Sequence, residues 1–184
     1  MGRKKKYNLS CIQLIIFLSC NMAINLYEYV YANQDFPKPG ILFRDIQPLL
    51  ANHKAFKKAC TEMYNLASEI PDYWIGIEAR GFIFASALSA LYGGGFKMIR
   101  KEGKLPDSNL QTTTYGYEYA TATIQMQGGG SGTAILIDDV VATGHTIEAA
   151  DELANVCGYD IIDKIALIDI GIAETDIKTV LQYD

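Results

Sequence analysis

The chain has 184 residues, 49% hydrophobic and 20% charged, with net charge −5. That fits one domain with a substantial core and excludes a disordered chain. Arg3, Lys4, Lys5 and Lys6 carry all the charge of the first 21 residues, so residues 22–184 bear −9. So acidic a body excludes general nucleic-acid binding, which sets lysine and arginine against phosphate, so any phosphate site must be local.

"RKKK" precedes the apolar "CIQLIIFLSCNMAI". The pair resembles the n- and h-regions of a signal peptide, or a weak membrane anchor. Gln13, Ser19 and Asn21 interrupt the run, which is short for a membrane span. A third reading starts the protein at Met22, making residues 1–21 an upstream extension. "MAINLYEYVYANQ" (22–34) then reads as a short opening helix with Leu26, Tyr29 and Val30 on one face.

"DFPKPG" (35–40) is a loop, because its prolines exclude a helix interior. Residues 52–70 repeat apolar positions at three and four, predicting a helix capped by Asn52 and opened by a surface His53. "YWIGI" (73–77) predicts a strand, residues 82–93 an apolar helix and "GFKMIR" (95–100) a second strand. A polar stretch follows; its Thr/Tyr-rich later part predicts strands, and "GGGSG" (128–132) a turn. "TAILI" (133–137) predicts a buried strand, residues 146–158 a helix ended by Gly158, and "KIALIDI" (164–170) another strand. Strands alternating with helices predict an α/β domain with a parallel sheet covered on both faces. The four cysteines, Cys11, Cys20, Cys60 and Cys157, lack metal-type spacing and point to a reduced, cytoplasmic chain.

Three stretches carry chemistry. In "ILIDDVVATGHT" (135–146), Asp138 and Asp139 are expected at a strand end, followed by a turn into a helix. Ligands of open parallel sheets bind beyond such ends, and N–H groups at a helix start attract anions. Gly144 lets the backbone approach closely, and Thr143 and Thr146 add hydroxyls. The carboxylates repel a phosphate, so they suit what lies beside it: sugar hydroxyls or hydrated Mg²⁺. The second stretch is "IEARGF" (77–82), with Arg80 after a strand. The third, "RKEGKLP" (100–106), holds Arg100, Lys101 and Lys104. Singly, each has a plainer reading: solvated acids at an ordinary turn, a surface arginine, a solvated charged loop. Together they place cations after neighbouring strands facing an acid pair, which fits a diphosphate with Mg²⁺.

"AILIDDVVATGHT" is similar to the phosphoribosyl-pyrophosphate (PRPP) signature of type I phosphoribosyltransferases. "DFPKPGILFRDIQPLL", "GIEARGF", "RKEGKLP" and "YGYEY" resemble the adenine phosphoribosyltransferase family, in order and spacing, from Asp35 to Ile170. The resemblance implies a type I phosphoribosyltransferase fold: a mainly parallel central sheet flanked by helices, with a small hood and a mobile β loop. It implies a single domain over residues 22–184, a cytoplasmic homodimer, and purine salvage by the reaction adenine + PRPP → AMP + pyrophosphate. Mg²⁺ is expected as cofactor, held mainly by PRPP and water rather than by protein ligands.

By the same resemblance, Ala142, Thr143, Gly144, His145 and Thr146 hold the 5′-phosphate, and Asp138 and Asp139 face the ribose hydroxyls. Arg80, Arg100, Lys101 and Lys104 hold pyrophosphate, and a cis Glu78–Ala79 peptide aims an N–H at it. Leu42, Phe43 and Arg44 match the adenine pocket, with Ile170 packing on the face opposite Phe43. Glu118 matches the acid that handles the purine proton, Tyr119 follows it, and Arg80 joins Glu118 as catalytic. His145 departs from the pattern, which often has a second glycine there, and is read as a solvent-facing substituent. The family opens with one short helix before "DFP", which favours the Met22 start and leaves no membrane association unless residues 1–21 persist as an anchor. The alternatives are a transferase for another base, separable by hypoxanthine against adenine, and a non-catalytic PRPP or nucleotide sensor, separable by turnover.

Overall fold

The computed structural model describes residues 24–106, 108–117, 120–171 and 176–183. Residues 1–21, read above as an extension, a signal-like segment or an anchor, lie outside the described residues, as do Glu118 and Tyr119. Among the described residues, no helix is long and apolar enough to cross a membrane.

The expected opening helix is only a 3₁₀ turn, Leu26–Tyr29, capped by the Asn25 side chain. Leu26 and Val30 are buried as the pattern required. The chain then extends as β1 (Tyr31–Gln34), antiparallel to β2 (Leu42–Asp45) from Tyr31↔Asp45 to Gln34↔Leu42. Pairing across the "DFPKPG" loop therefore overrides the local helical pattern. This two-stranded ribbon is the hood, and its loop contains a cis Phe36–Pro37 bond.

Helices α1 (Gln47–Ala51) and α2 (His53–Leu66) follow. Asn52 caps α2 as expected, its Oδ1 accepting the Lys54 and Ala55 N–H groups at 3.0 and 3.1 Å. The helix stops at Leu66 rather than residue 70, because Ser68 N–H turns to the Asp163 carboxylate. Then come β3 (Tyr73–Ile77), α3 (Gly81–Tyr92), β4 (Gly95–Lys101), β5 (Leu110–Tyr117) and β6 (Ala120–Gln127). The chain closes with β7 (Thr133–Val141), α4 (His145–Val156), β8 (Asp160–Asp169) and β9 (Lys178–Gln182). Strand β9 was not expected from the sequence; it extends the sheet by pairing in parallel with β8.

The sheet order is β5-β6-β4-β3-β7-β8-β9, parallel from β4 to β9, with β6 and β5 antiparallel at one edge. Alternate residues of each strand feed opposite faces. Trp74, Ile135 and Ile137 pack with α2 and α3 on one side, and Ile75, Leu136 and Ile77 with α4 on the other. Strand β3 leads to β4 on one side while β7 leads to β8 on the other. The chain thus diverges between β3 and β7, and a crevice forms at their carboxyl ends.

Candidate active site

Strand β7 runs four residues past the expected end, through both aspartates to Val141. Its β-branched Val140 and Val141 keep pairing with β8, at Val140↔Ile168 and Val141↔Asp169. Pairing with β3 stops at Gly76↔Ile137. The acids therefore lie inside a strand that is one-sided at that point, open toward the crevice.

The two acids are not equivalent. Asp138 lines a pocket of about 110 Å³ together with Val140, Val141, Ala142, Thr143, Gly144, Thr146 and Ile147. That brings the predicted phosphate turn together with one acid. Asp139 is 5% exposed, and its Oδ2 lies 2.7 Å from Arg80 Nε. Burial, then the neighbouring Asp139 carboxylate, push the Asp138 carboxyl well above its ordinary value. Burial also raises Asp139, against the pull of the Arg80 guanidinium.

A carboxyl raised in this way binds its proton more tightly in the folded protein than in the unfolded chain. Its contribution to stability therefore falls as pH rises above the ordinary carboxylate value. Asp138→Asn removes that loss while keeping an oxygen for the Asp139 N–H, which donates to Asp138 Oδ1 at 2.8 Å. The variant is expected to be more stable at neutral pH by about 1 kcal/mol, with a flatter decline from about pH 4 upward. Thermal melting across a pH series checks this; a lower melting point at every pH would refute it.

Gly144 caps α4 at φ +87°, a left-handed conformation that costs glycine little. The helix begins at His145, one residue earlier than expected. His145 is half-buried rather than solvent-facing, and its Nδ1 lies 2.5 Å from Thr143 Oγ1. Its ring therefore braces a hydroxyl of the predicted phosphate turn.

Arg80, at the start of α3, spans three groups: Asp139, the Arg44 carbonyl at 3.2 Å from Nη1, and the Phe43 ring at 4.9 Å. Phe43 also meets Phe36 edge-on at 5.2 Å. Leu42 is exposed on the hood, and Ile170 N–H bonds Val141 O at 3.2 Å. The Glu78–Ala79 peptide is cis.

Arg100 does not reach the acid pair. Its Nε lies 3.3 Å from Glu78 Oε2 and its Nη1 donates to the Lys104 carbonyl at 3.0 Å. Glu78 also accepts the Lys101 N–H at 2.9 Å, which ties the cationic loop to the end of β3. Partial burial would lift the Glu78 carboxyl, but the Lys101 N–H and the Arg100 guanidinium hold it below its usual value. Lys101 and Lys104 are exposed. Sequence reasoning named Glu78 for its peptide bond but missed its side chain, whose signal was an acid ending a buried strand. It also missed Gln125, which is 9% exposed and accepts the Gly103 N–H at 2.9 Å from inside the sheet.

Among the described residues, no group of three or more His, Cys, Asp or Glu side chains could hold a metal ion. Two carboxylates alone suit a cation that arrives with substrate oxygens and keeps its waters, as Mg²⁺ does.

Residues 46–180 match the family described as phosphoribosyl transferase domain. The chain is 39% identical over 167 residues to the adenine phosphoribosyltransferase of Hydrogenovibrio crunogenus, covering 86% of this chain and 96% of that protein. The crystal structure of adenine phosphoribosyltransferase from Thermoanaerobacter pseudethanolicus superposes with TM-score 0.80 at 30% identity, covering 86% of this chain and 100% of that one. The Saccharomyces cerevisiae adenine phosphoribosyltransferase, complexed with adenine and an imino-altritol bisphosphate, gives TM-score 0.72 at 29% identity, covering 79% and 86%.

Proposed function

The chain belongs to the phosphoribosyl transferase domain family, among its adenine phosphoribosyltransferases, and on that premise we propose how its residues carry out the reaction. The enzyme transfers the phosphoribosyl group of PRPP to adenine, giving AMP and pyrophosphate in purine salvage. The observation that carries the residue assignments is Arg80, which touches Asp139, the Arg44 backbone and the Phe43 ring at once.

The 5′-phosphate lies in the pocket of Ala142, Thr143, Gly144 and Thr146, on the N–H groups that open α4, with His145 holding the Thr143 hydroxyl. Asp138 faces the ribose hydroxyls. Adenine lies against Phe43, with the Leu42–Arg44 backbone reading its edge and Ile170 opposite. As the anomeric C–O bond breaks, positive charge grows on the ribose and negative charge on the pyrophosphate. Arg80, Arg100, Lys101 and Lys104 stabilise the leaving group, with Arg100 and the Lys101 backbone oriented by Glu78. Arg80 then exchanges its partner Asp139 for diphosphate, leaving that carboxylate to offset charge on the ribose.

Mg²⁺, carried mainly by diphosphate oxygens and water beside the Asp138 carboxyl, would neutralise charge on the leaving group. Adenine, PRPP, AMP and pyrophosphate are the small-molecule partners. The exposed Tyr31, Phe36, Ile41 and Leu42 on the hood support a homodimer, which sedimentation would test. The two described cysteines, Cys60 and Cys157, are free and buried, which supports a cytoplasmic location. Burial lifts the Cys60 thiol to about 11, so it is unreactive there.

Purified protein with PRPP, Mg²⁺ and adenine should form AMP, and hypoxanthine should not replace adenine. No AMP from folded protein would overturn the reading. Glu118 carries the purine proton, and Glu118→Ala should lower kcat by about 100-fold, with PRPP affinity held within about twofold. Single-turnover kinetics and PRPP titration check this; unchanged kcat removes the role.

A further inference from the structure

Strand β9 brings the chain back to the base subsite. Tyr183 N–H donates to Asp169 O at 2.9 Å, one residue before Ile170. The Tyr183 ring lies 3.8 Å from the guanidinium carbon of Arg44. Tyr27 closes on it edge-on at 5.2 Å, and the Tyr27 hydroxyl bonds both the N–H and the carbonyl of Gln182 at 3.3 Å. The Tyr183 ring is thus fixed by its backbone and by the opening 3₁₀ turn. Arg44 Nε is buried and has no hydrogen-bond partner among the described residues. The aromatic face therefore covers a guanidinium whose Nε no hydrogen bond among the described residues satisfies. Arg80 meets the Arg44 carbonyl at 3.2 Å but is held independently by the Asp139 carboxylate at 2.7 Å, so its place does not depend on the Arg44 side chain.

We propose that Tyr183 is a positioning residue for the base: its ring holds the Arg44 guanidinium and thereby sets the Leu42–Arg44 backbone against which adenine lies. The inference rests on the adenine reading above and adds to it a determinant far away in sequence. Losing the ring face frees the Arg44 side chain, and the backbone it anchors loses its fixed geometry. Adenine binding suffers, while the turn after β7, braced by its own Thr143–His145 contact, keeps its geometry.

The test is steady-state kinetics of the full chain with adenine and PRPP varied separately. Tyr183→Leu keeps apolar bulk but has no aromatic face. It should raise KM for adenine by about 5- to 30-fold, the size of a desolvated cation–π contact, with KM for PRPP within about twofold. Tyr183→Phe keeps the ring and should restore the adenine KM to within about twofold of the unsubstituted chain. Thermal melting monitors folding, because a purely structural role would lower the melting point and leave both KM values unmoved. The inference is overturned if the leucine variant matches the phenylalanine variant, or if both KM values rise together. If the unsubstituted chain makes no AMP from adenine, the functional reading fails and takes the inference with it. If it does and the adenine KM of Tyr183→Leu is unchanged, only the positioning role fails.

Discussion

Arg80→Ala should lower kcat/KM for PRPP by about 100- to 1000-fold, the cost of removing a preorganised stabiliser of transition-state charge. The reason is that one guanidinium makes three contacts, each at a proposed subsite. It neutralises Asp139, which is 5% exposed, it donates to the Arg44 carbonyl, and it lies over Phe43. Without it, Asp139 is a buried carboxylate with no cation, so its carboxyl rises further and the charge beside the ribose is lost. The diphosphate loses a partner in the same stroke, so KM for PRPP should rise while kcat falls. Arg80→Lys should recover little, because a point charge cannot make the planar, two-armed contact to a carboxylate and a carbonyl. Kinetics with each substrate varied decide it; a loss under about tenfold in the alanine variant would remove Arg80 from the chemistry.

Gly81→Ala should destabilise the fold by about 3 kcal/mol, although it adds only one methyl group. A Cβ there would sit 2.5 Å from the Ile137 carbonyl oxygen and 3.3 Å from Asp138 Oδ1. The first of these is strand backbone, locked by its ladder to β8, so the helix must move instead. Gly76 faces the same turn from β3, where a Cβ would meet the Gly81 backbone at 3.0 Å. The two glycines let α3 start directly against the crevice, which is what delivers Arg80 to Asp139. Urea unfolding should show a lower midpoint with unchanged slope. PRPP affinity should fall in the protein that remains folded, because the displaced helix carries Arg80 away. An unaltered midpoint would show that the helix start tolerates the extra carbon.

What was legible in the sequence was local. The period of three and four in α2 and its Asn52 cap follow from which residues can share a helix face and which side chain can reach free N–H groups. The apolar runs of β3 and β7 follow from burial on both faces of a parallel sheet. The turn Thr143–Thr146 and the cations at Arg80 and Arg100–Lys104 stood out as a candidate site because phosphate chemistry needs N–H groups and positive charge at strand ends. The family resemblance then supplied the base and the reaction, neither of which any spacing carries.

Only the tertiary structure decided which groups meet. Residues 31–34 lie in a pattern that reads as helix, yet they become a strand because Leu42–Asp45 returns beside them. The acids look alike in sequence, but β7 keeps its partner on one side and loses it on the other. One carboxyl then lines the pocket beside the Ala142–Thr146 turn while its neighbour takes Arg80. Arg100 turns to Glu78 rather than to the acids, since β4 and β3 are adjacent and their ends coincide. Tyr183 reaches Arg44 across 139 residues of chain because β9 pairs with β8. Periodicity and local charge describe what a segment is able to form. Partnership depends on strand order, and strand order is settled by burial of the whole sheet rather than by any one stretch of it.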